Sequence, residues 1–235
     1  MRINIPVYIK TGPRVHIEDG KACVRNANGK IAWEYTGEKC DGISIAACAR
    51  SATVYTTKLL RELGYDIGHE MMGKDGSVGY HLAVIKPKNC LHQVRNPIKQ
   101  ISSMYQHQSW GFMQQVVDIN GTGLLGCMQY WLKWNELIEE FAVWRYQIEQ
   151  LPDVWDEFCD RINHKKCKLP NIPKNTNSRK EALAAIDFTF KDFTWDDLYK
   201  EDRQLAQDIS DKAVEYGYAP SGIKQDHVSQ GTLVA

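Results

Sequence analysis

The stretch that decides the fold is "ISIAACARSATVYTTKLL", residues 43 to 60. Ile43 to Ala49 is a short apolar run of the kind that makes a buried strand. It meets Arg50, Ser51, Ala52 and Thr53, and a helical pattern starts at once. Val54 to Leu63 carries Tyr55, Leu59, Leu60 and Leu63 on one face, and Gly64 stops it. A strand that runs through an arginine and two hydroxyl residues into a helix N-terminus presents backbone N–H groups and a positive charge at one point. That geometry suits an anion. The same residues also serve as an ordinary strand-to-helix turn with a Ser or Thr cap. The loop lacks a glycine-rich run and a Gly-Lys-Ser/Thr ending, and Lys58 lies a full turn into the helix, so it is not a Walker A loop.

Working outward, "YDIGHE" (65–70) reads as a second strand ending at His69 and Glu70, and Asp75-Gly76 as a turn. Residues 78 to 85 fit strand or helix equally. "CLHQV" (90–94) is a third strand, broken by Arg95-Asn96-Pro97. Pro97 opens a helix running to about His107. Gly111 to Gly123 is a polar loop, Leu124 to Leu151 a long aromatic-rich helix, and 153 to 162 a further helix. Residues 168 to 180 form a Pro- and Asn-rich loop. Residues 201 to 217 give a last amphipathic helix ending near Gly217. Strands alternating with helices predict an α/β fold: a mostly parallel sheet flanked by helices. In such a sheet the ligand lies beyond the carboxyl ends of the strands. The 50–53 loop, His69, Glu70 and Arg95 all fall there.

The ends of the chain read differently. Residues 1 to 40 form a small β-hairpin region, with Asp19-Gly20 and Asn28-Gly29 as turn signals. The core spans 43 to 218 of a single domain (1–220), and 221 to 235 reads as a flexible tail.

Bulk composition narrows the function classes. The chain has 235 residues, 43% hydrophobic and 25% charged, which is ordinary for one globular domain. Lys plus Arg and Asp plus Glu both number 29, so net charge gives no general attraction to nucleic acid or anionic membrane. Seven cysteines without CxxC spacing read as reduced thiols, and no signal-peptide pattern opens the chain. Together these predict a cytoplasmic location. The scattered His and Cys lack zinc-ligand spacing.

A second element is "VRNPIKQISS" (94–103). Arg95 ends a strand and Ser103 lies about two helical turns on, so both could grip one phosphate. An Arg-Ser-small-Thr loop after the first strand, followed by Arg-Asn-Pro with a Ser eight residues past the Arg, resembles the sulfotransferase superfamily. Those enzymes use 3′-phosphoadenosine 5′-phosphosulfate (PAPS). "GYDIGHE" and the terminal "AVEYGY" are similar to a bacterial branch of it. The resemblance covers about 43 to 218 and implies a P-loop NTPase-like sulfotransferase fold of bacterial or viral type. It implies transfer of a sulfuryl group, without a metal, to a hydroxyl or amine of a small-molecule or glycan acceptor. Arg50, Ser51, Ala52, Thr53 and Val54 would cradle the phosphosulfate, and Tyr55 would lie near the adenine. Arg95 and Ser103 would hold the 3′-phosphate, also in the product adenosine 3′,5′-bisphosphate. Arg179 would stand in for the family's C-terminal cation.

His69 is the first choice of general base, its ordinary pKa being near 6.5, with Glu70 second or orienting it. His107 reads as an acceptor-pocket or surface residue, His81 and His92 as core histidines. Trp110 and Phe112 could line the acceptor site. Two departures stand out. The family's small loop residue is usually glycine, where this chain has Ala52, and Val54 replaces a hydroxyl. They support an alternative: a protein of this fold that binds a nucleotide or partner without catalysis. A P-loop kinase-like phosphotransferase is the third reading, weakened by the missing lysine.

Overall fold

The computed structural model describes residues 14–18, 21–25 and 31–35, then 42–107, 113–172 and 191–219. Arg179, Trp110, Phe112, the turns at 19–20 and 28–29 and the tail 221–235 lie outside the described residues. The first three strands, β1 (Arg14–Glu18), β2 (Lys21–Arg25) and β3 (Ile31–Tyr35), pair antiparallel in the order β1-β2-β3. They are the expected hairpin region.

The core is an α/β fold built on a five-stranded sheet, all parallel, in the order β5-β6-β4-β7-β8. Its strands are β4 (Ile43–Ala47), β5 (Ile67–His69), β6 (Gly76–Gly79), β7 (Leu91–Val94) and β8 (Trp144–Gln147). The central strand, β4, is buried along most of its length, which explains an apolar run without alternation. Its side chains still divide by parity. Ile45 packs with Leu59 and Leu60 of α1 (Thr53–Glu62) and with Trp155 and Phe158 of α5 (Trp155–Arg161) on one face. Ala46 and Cys48 face α2 (Leu82–Ile85), α3 (Pro97–Met104) and α4 (Gly123–Glu139) on the other. The last helices, α6 (Trp195–Glu201) and α7 (Arg203–Glu215), join that second face through Leu198, Ala206 and Ile209. Each fully buried Leu or Ile contributes about 1.5–3 kcal/mol. Among the described residues no helix is long and apolar enough to cross a membrane.

The sequence expectations hold for β4, α1, β5, β7 and α3. Asn96 caps α3 by accepting from the Lys99 N–H at 3.1 Å, with Pro97 in the first turn. Gly217, at φ 84, closes α7. Its N–H returns to the Val214 carbonyl and that of Tyr218 to Ala213. The ambiguous run 78–85 splits into the end of β6 and α2.

The long helix expected over Leu124–Leu151 is corrected. The helix stops at Glu139, and Trp144–Gln147 is the edge strand β8 beside β7. No Gly or Pro marks the break. Tyr130, Trp131, Trp134, Phe141 and Trp144 continue a helix-like spacing through it. Hydrogen bonding to the sheet decides the outcome, starting with the Val143 N–H donating to the Cys90 carbonyl at 2.9 Å.

One connection is unusual. Parallel neighbours ordinarily need a crossover of a dozen residues or more, yet β5 and β6 are joined by residues 70–75 alone. Gly68 and Gly73 make this possible. A Cβ on Gly68 would lie 1.9 Å from the Met71 carbonyl oxygen, and one on Gly73 would lie 2.2 Å from that of Asp66.

Candidate anion-binding site

β4 lies between β6 and β7, so the chain leaves it toward one side of the sheet and returns on the other. The crevice at this switch point receives the carboxyl ends of the central strands. The 48–53 loop crosses it. Arg50 and Ala52 both adopt φ 67, in the left-handed region, while Ser51 between them does not. Alternation of this kind curls successive N–H groups toward one point.

What holds the loop in that shape is the capture of its carbonyls. The Cys48 carbonyl accepts from the Ser51 hydroxyl at 2.7 Å and from the Gln100 carboxamide at 3.2 Å. Gln100 Nε2 also donates to the Ala49 carbonyl at 2.7 Å, and the Arg95 guanidinium to that of Arg50 at 2.7 Å. The Gln93 carboxamide donates to Ser51, and the Thr56 N–H to Ala52 at 3.2 Å. Every carbonyl from 48 to 52 is therefore occupied. The amides are not. Among the described residues no acceptor faces the N–H groups of Ser51, Ala52, Thr53, Val54 and Tyr55. α1 starts without a side-chain cap and without an acidic residue in its first turn. The positive end of its dipole is uncompensated by either.

Gln93 and Gln100, both fully buried, are the residues that sequence reasoning missed. Gln93 Oε1 accepts from the Thr56 hydroxyl at 2.6 Å and the Tyr146 hydroxyl at 2.7 Å, which aims its amide at Ser51. Gln100 Oε1 accepts from the Trp131 indole at 3.1 Å. Tyr130 takes the Ala49 N–H at 3.2 Å. A glutamine inside a buried strand, as Gln93 is in "CLHQV", was the available signal, since a buried amide must find partners.

The expected site residues divide. Arg50, Arg95 and Ser103 come together. Arg50 Nε donates to the Ser103 hydroxyl at 3.1 Å, while Arg95 holds the Arg50 backbone. Ser103 thus pairs with Arg50, where sequence reasoning had grouped it with Arg95. The Ser51 hydroxyl, expected to face an anion, is buried and turned onto Cys48, leaving only the Ser51 amide for a ligand. Thr53 Oγ1 meets His69 Nε2 at 2.9 Å. Val54 is half-buried in the first turn of α1. Tyr55, also half-buried, packs beside the α1–α5 core. His107 closes a 3-10 turn, Tyr105–His107.

His69 and Glu70 sit side by side at the end of β5, Nε2 to Oε1 3.8 Å, their side chains 29% and 23% exposed. Glu70 is held at φ 54, a strained value for a residue other than glycine. Burial, then the charges of Arg61 and Arg50, hold the His69 imidazole down at about 4. Burial pushes the Glu70 carboxyl up to about 7 against the opposing pull of Arg50. A proton acceptor works best when its pKa lies near the operating pH, so of the two candidate bases Glu70 is the better matched on this ground.

His81 and His92 are core histidines, as expected, each 1% exposed and held at about 3 by burial first. His92 Nε2 donates to Asn135 Oδ1 at 3.0 Å. His81 Nε2 meets the Ser77 hydroxyl at 3.0 Å.

The donor set fits a phosphate ester. It combines a run of orphan amides, a helix N-terminus and two guanidinium groups, with a titratable carboxyl alongside. No protein-family model matches the chain, and no curated protein matches it in sequence.

Proposed function

We propose that the protein is a PAPS-dependent sulfotransferase with a P-loop NTPase-like fold. The observation that carries this reading is the loop whose carbonyls from 48 to 52 are all captured while, among the described residues, none accepts a hydrogen bond from the amides of 51 to 55. PAPS supplies the sulfuryl group, which passes in line from its phosphate oxygen to the acceptor oxygen or nitrogen. The amides of Ser51 to Val54 and the Arg50 guanidinium hold the phosphosulfate and stabilise the charge that develops there. Arg95 and Ser103, on either side of Arg50, bind the 3′-phosphate, and Arg50 releases Ser103 to do so. Glu70 takes the proton from the acceptor hydroxyl or amine. His69 stays neutral and positions the Thr53 hydroxyl at the mouth of the cradle.

Calorimetric titration with adenosine 3′,5′-bisphosphate in metal-free buffer tests the reading. The expected result is binding to the wild type and a loss of at least about tenfold in Arg95→Ala, the effect of one charged hydrogen bond. A folded wild type that does not bind would refute it.

A second reading rests on Ala52. Its Cβ is carried into the left-handed region at φ 67, and Val54 lacks a hydroxyl. On that reading the chain binds a nucleotide or partner and transfers nothing. Bisphosphate binding without turnover of PAPS across a panel of hydroxyl and amine acceptors would favour it. A kinase-like role is the weakest, because Lys58 is exposed on α1, beyond its first turn.

A further inference from the structure

We propose that Cys159 and Cys167 are a disulfide-forming pair, closed by an anionic disulfide oxidant of the glutathione type. The inference is independent of sulfuryl transfer. It starts from the end of α5, where Asn163 takes φ 53 and reverses the chain. The Asn163 N–H donates to the Asp160 carbonyl at 3.1 Å and the His164 N–H to that of Cys159 at 2.8 Å. The returning segment is then pinned, because the Trp155 indole N–H donates to the Cys167 carbonyl at 2.7 Å. Trp155 and Cys159 are four residues apart on a helix and share a face. Residue 167 therefore lies over the Cys159 side chain. Burial first, and the nearby Cys167 second, push the Cys159 thiol up.

The two sulfurs differ in access, which sets the order of events. Cys159 is fully buried, while Cys167 is exposed. Cys48, Cys90 and Cys127 are also fully buried, so of these five cysteines a dissolved oxidant meets Cys167 first. Lys165, Lys166 and Lys168 flank it and attract an anionic reagent. Lys166 also pairs with Asp160 at 3.3 Å.

The chemistry is two exchanges. The Cys167 thiolate attacks one sulfur of oxidised glutathione, forming a mixed disulfide and expelling one glutathione thiolate. Cys159 then attacks the Cys167 sulfur and its proton passes to the departing second glutathione, which leaves as a thiol. The protein dithiol loses two electrons, and oxidised glutathione gains them as two thiols. The product ties the end of α5 to the segment that leads to Ile172, which packs in the same core.

The experiment is incubation of the native, reduced protein with oxidised glutathione. Free thiols are then blocked, and non-reducing tryptic mapping follows. The expected product joins the peptide 146–161 to the peptide 167–168, and dithiothreitol reverses it. Cys159→Ser should stop at glutathione on Cys167, and Cys167→Ser should leave Cys159 reduced. Wild type that accumulates glutathione on Cys167 with Cys159 still a thiol would overturn the pair. So would wild type that leaves both cysteines unmodified.

Discussion

Replacing Glu70 with glutamine should remove a pH dependence that the wild type conceals. In the folded chain the carboxyl holds its proton up to about 7, against an ordinary 4.5. Between those values the native state carries a proton that the unfolded chain has lost, so stability falls as pH rises. His69 has the opposite sign. Its folded value of about 4 lies below the ordinary 6.5, so there the unfolded chain binds the extra proton and stability rises with pH. Each slope is about 1.4 kcal/mol per pH unit. Where the windows overlap, between 4.5 and 6.5, the two cancel. Glu70→Gln mimics the protonated carboxyl at every pH. Its advantage over wild type should be absent near pH 4 and grow to about 2–3 kcal/mol by pH 8, the full shift being trimmed for a carboxyl a quarter exposed to water. Urea denaturation followed by tryptophan fluorescence from pH 4 to 8 measures it. Comparing the variant with wild type at each pH removes the contribution of every other acid. A difference that stays constant across this range would show that Glu70 titrates as an ordinary carboxylate. The assignment of Glu70 as the base would fall with it.

Two substitutions probe the loop directly. Ala52→Gly relieves a left-handed alanine and should stabilise the protein by about 1 kcal/mol, raising Tm by about 2–4 °C in scanning calorimetry; a lower Tm would contradict the φ of 67. Gln93→Leu strips a partner from the Ser51 carbonyl and the Thr56 and Tyr146 hydroxyls. It should cost about 3 kcal/mol or more in urea denaturation and weaken bisphosphate binding, whereas a loss under about 1 kcal/mol would mean the network does not hold the loop.

Much of this architecture was readable from residues close together in the chain. The 43–60 stretch shows strand, loop and helix because a buried parallel strand has no polar face to blur the pattern. Asn96-Pro97 and Gly217 announced helix ends through local backbone preferences. What stayed hidden depends on contacts distant in sequence. β8 looked helical because its aromatic residues continued the spacing of α4, and only pairing with β7 distinguishes the two. The inward turn of Ser51 follows from the position of the Cys48 carbonyl. The opposite displacements of His69 and Glu70 follow from burial, to which the arginines at positions 61 and 50 add at His69 and which Arg50 opposes at Glu70. Neither can be counted from spacing.

The six-residue link between β5 and β6 also bears on how the sheet assembles. Bringing two strands together costs chain entropy that grows with the logarithm of the intervening length. The β4–β7 neighbours are separated by residues 48–90. On that scaling, closing their loop costs about 1.7 kcal/mol more than closing 70–75. Most parallel sheets contain no pair with so small a penalty, which is one reason they fold slowly. On the same scaling one edge of the sheet closes at a chain-entropy cost close to that of a hairpin. It offers β4 a ready template, and the glycines at 68 and 73 are what keep that template short.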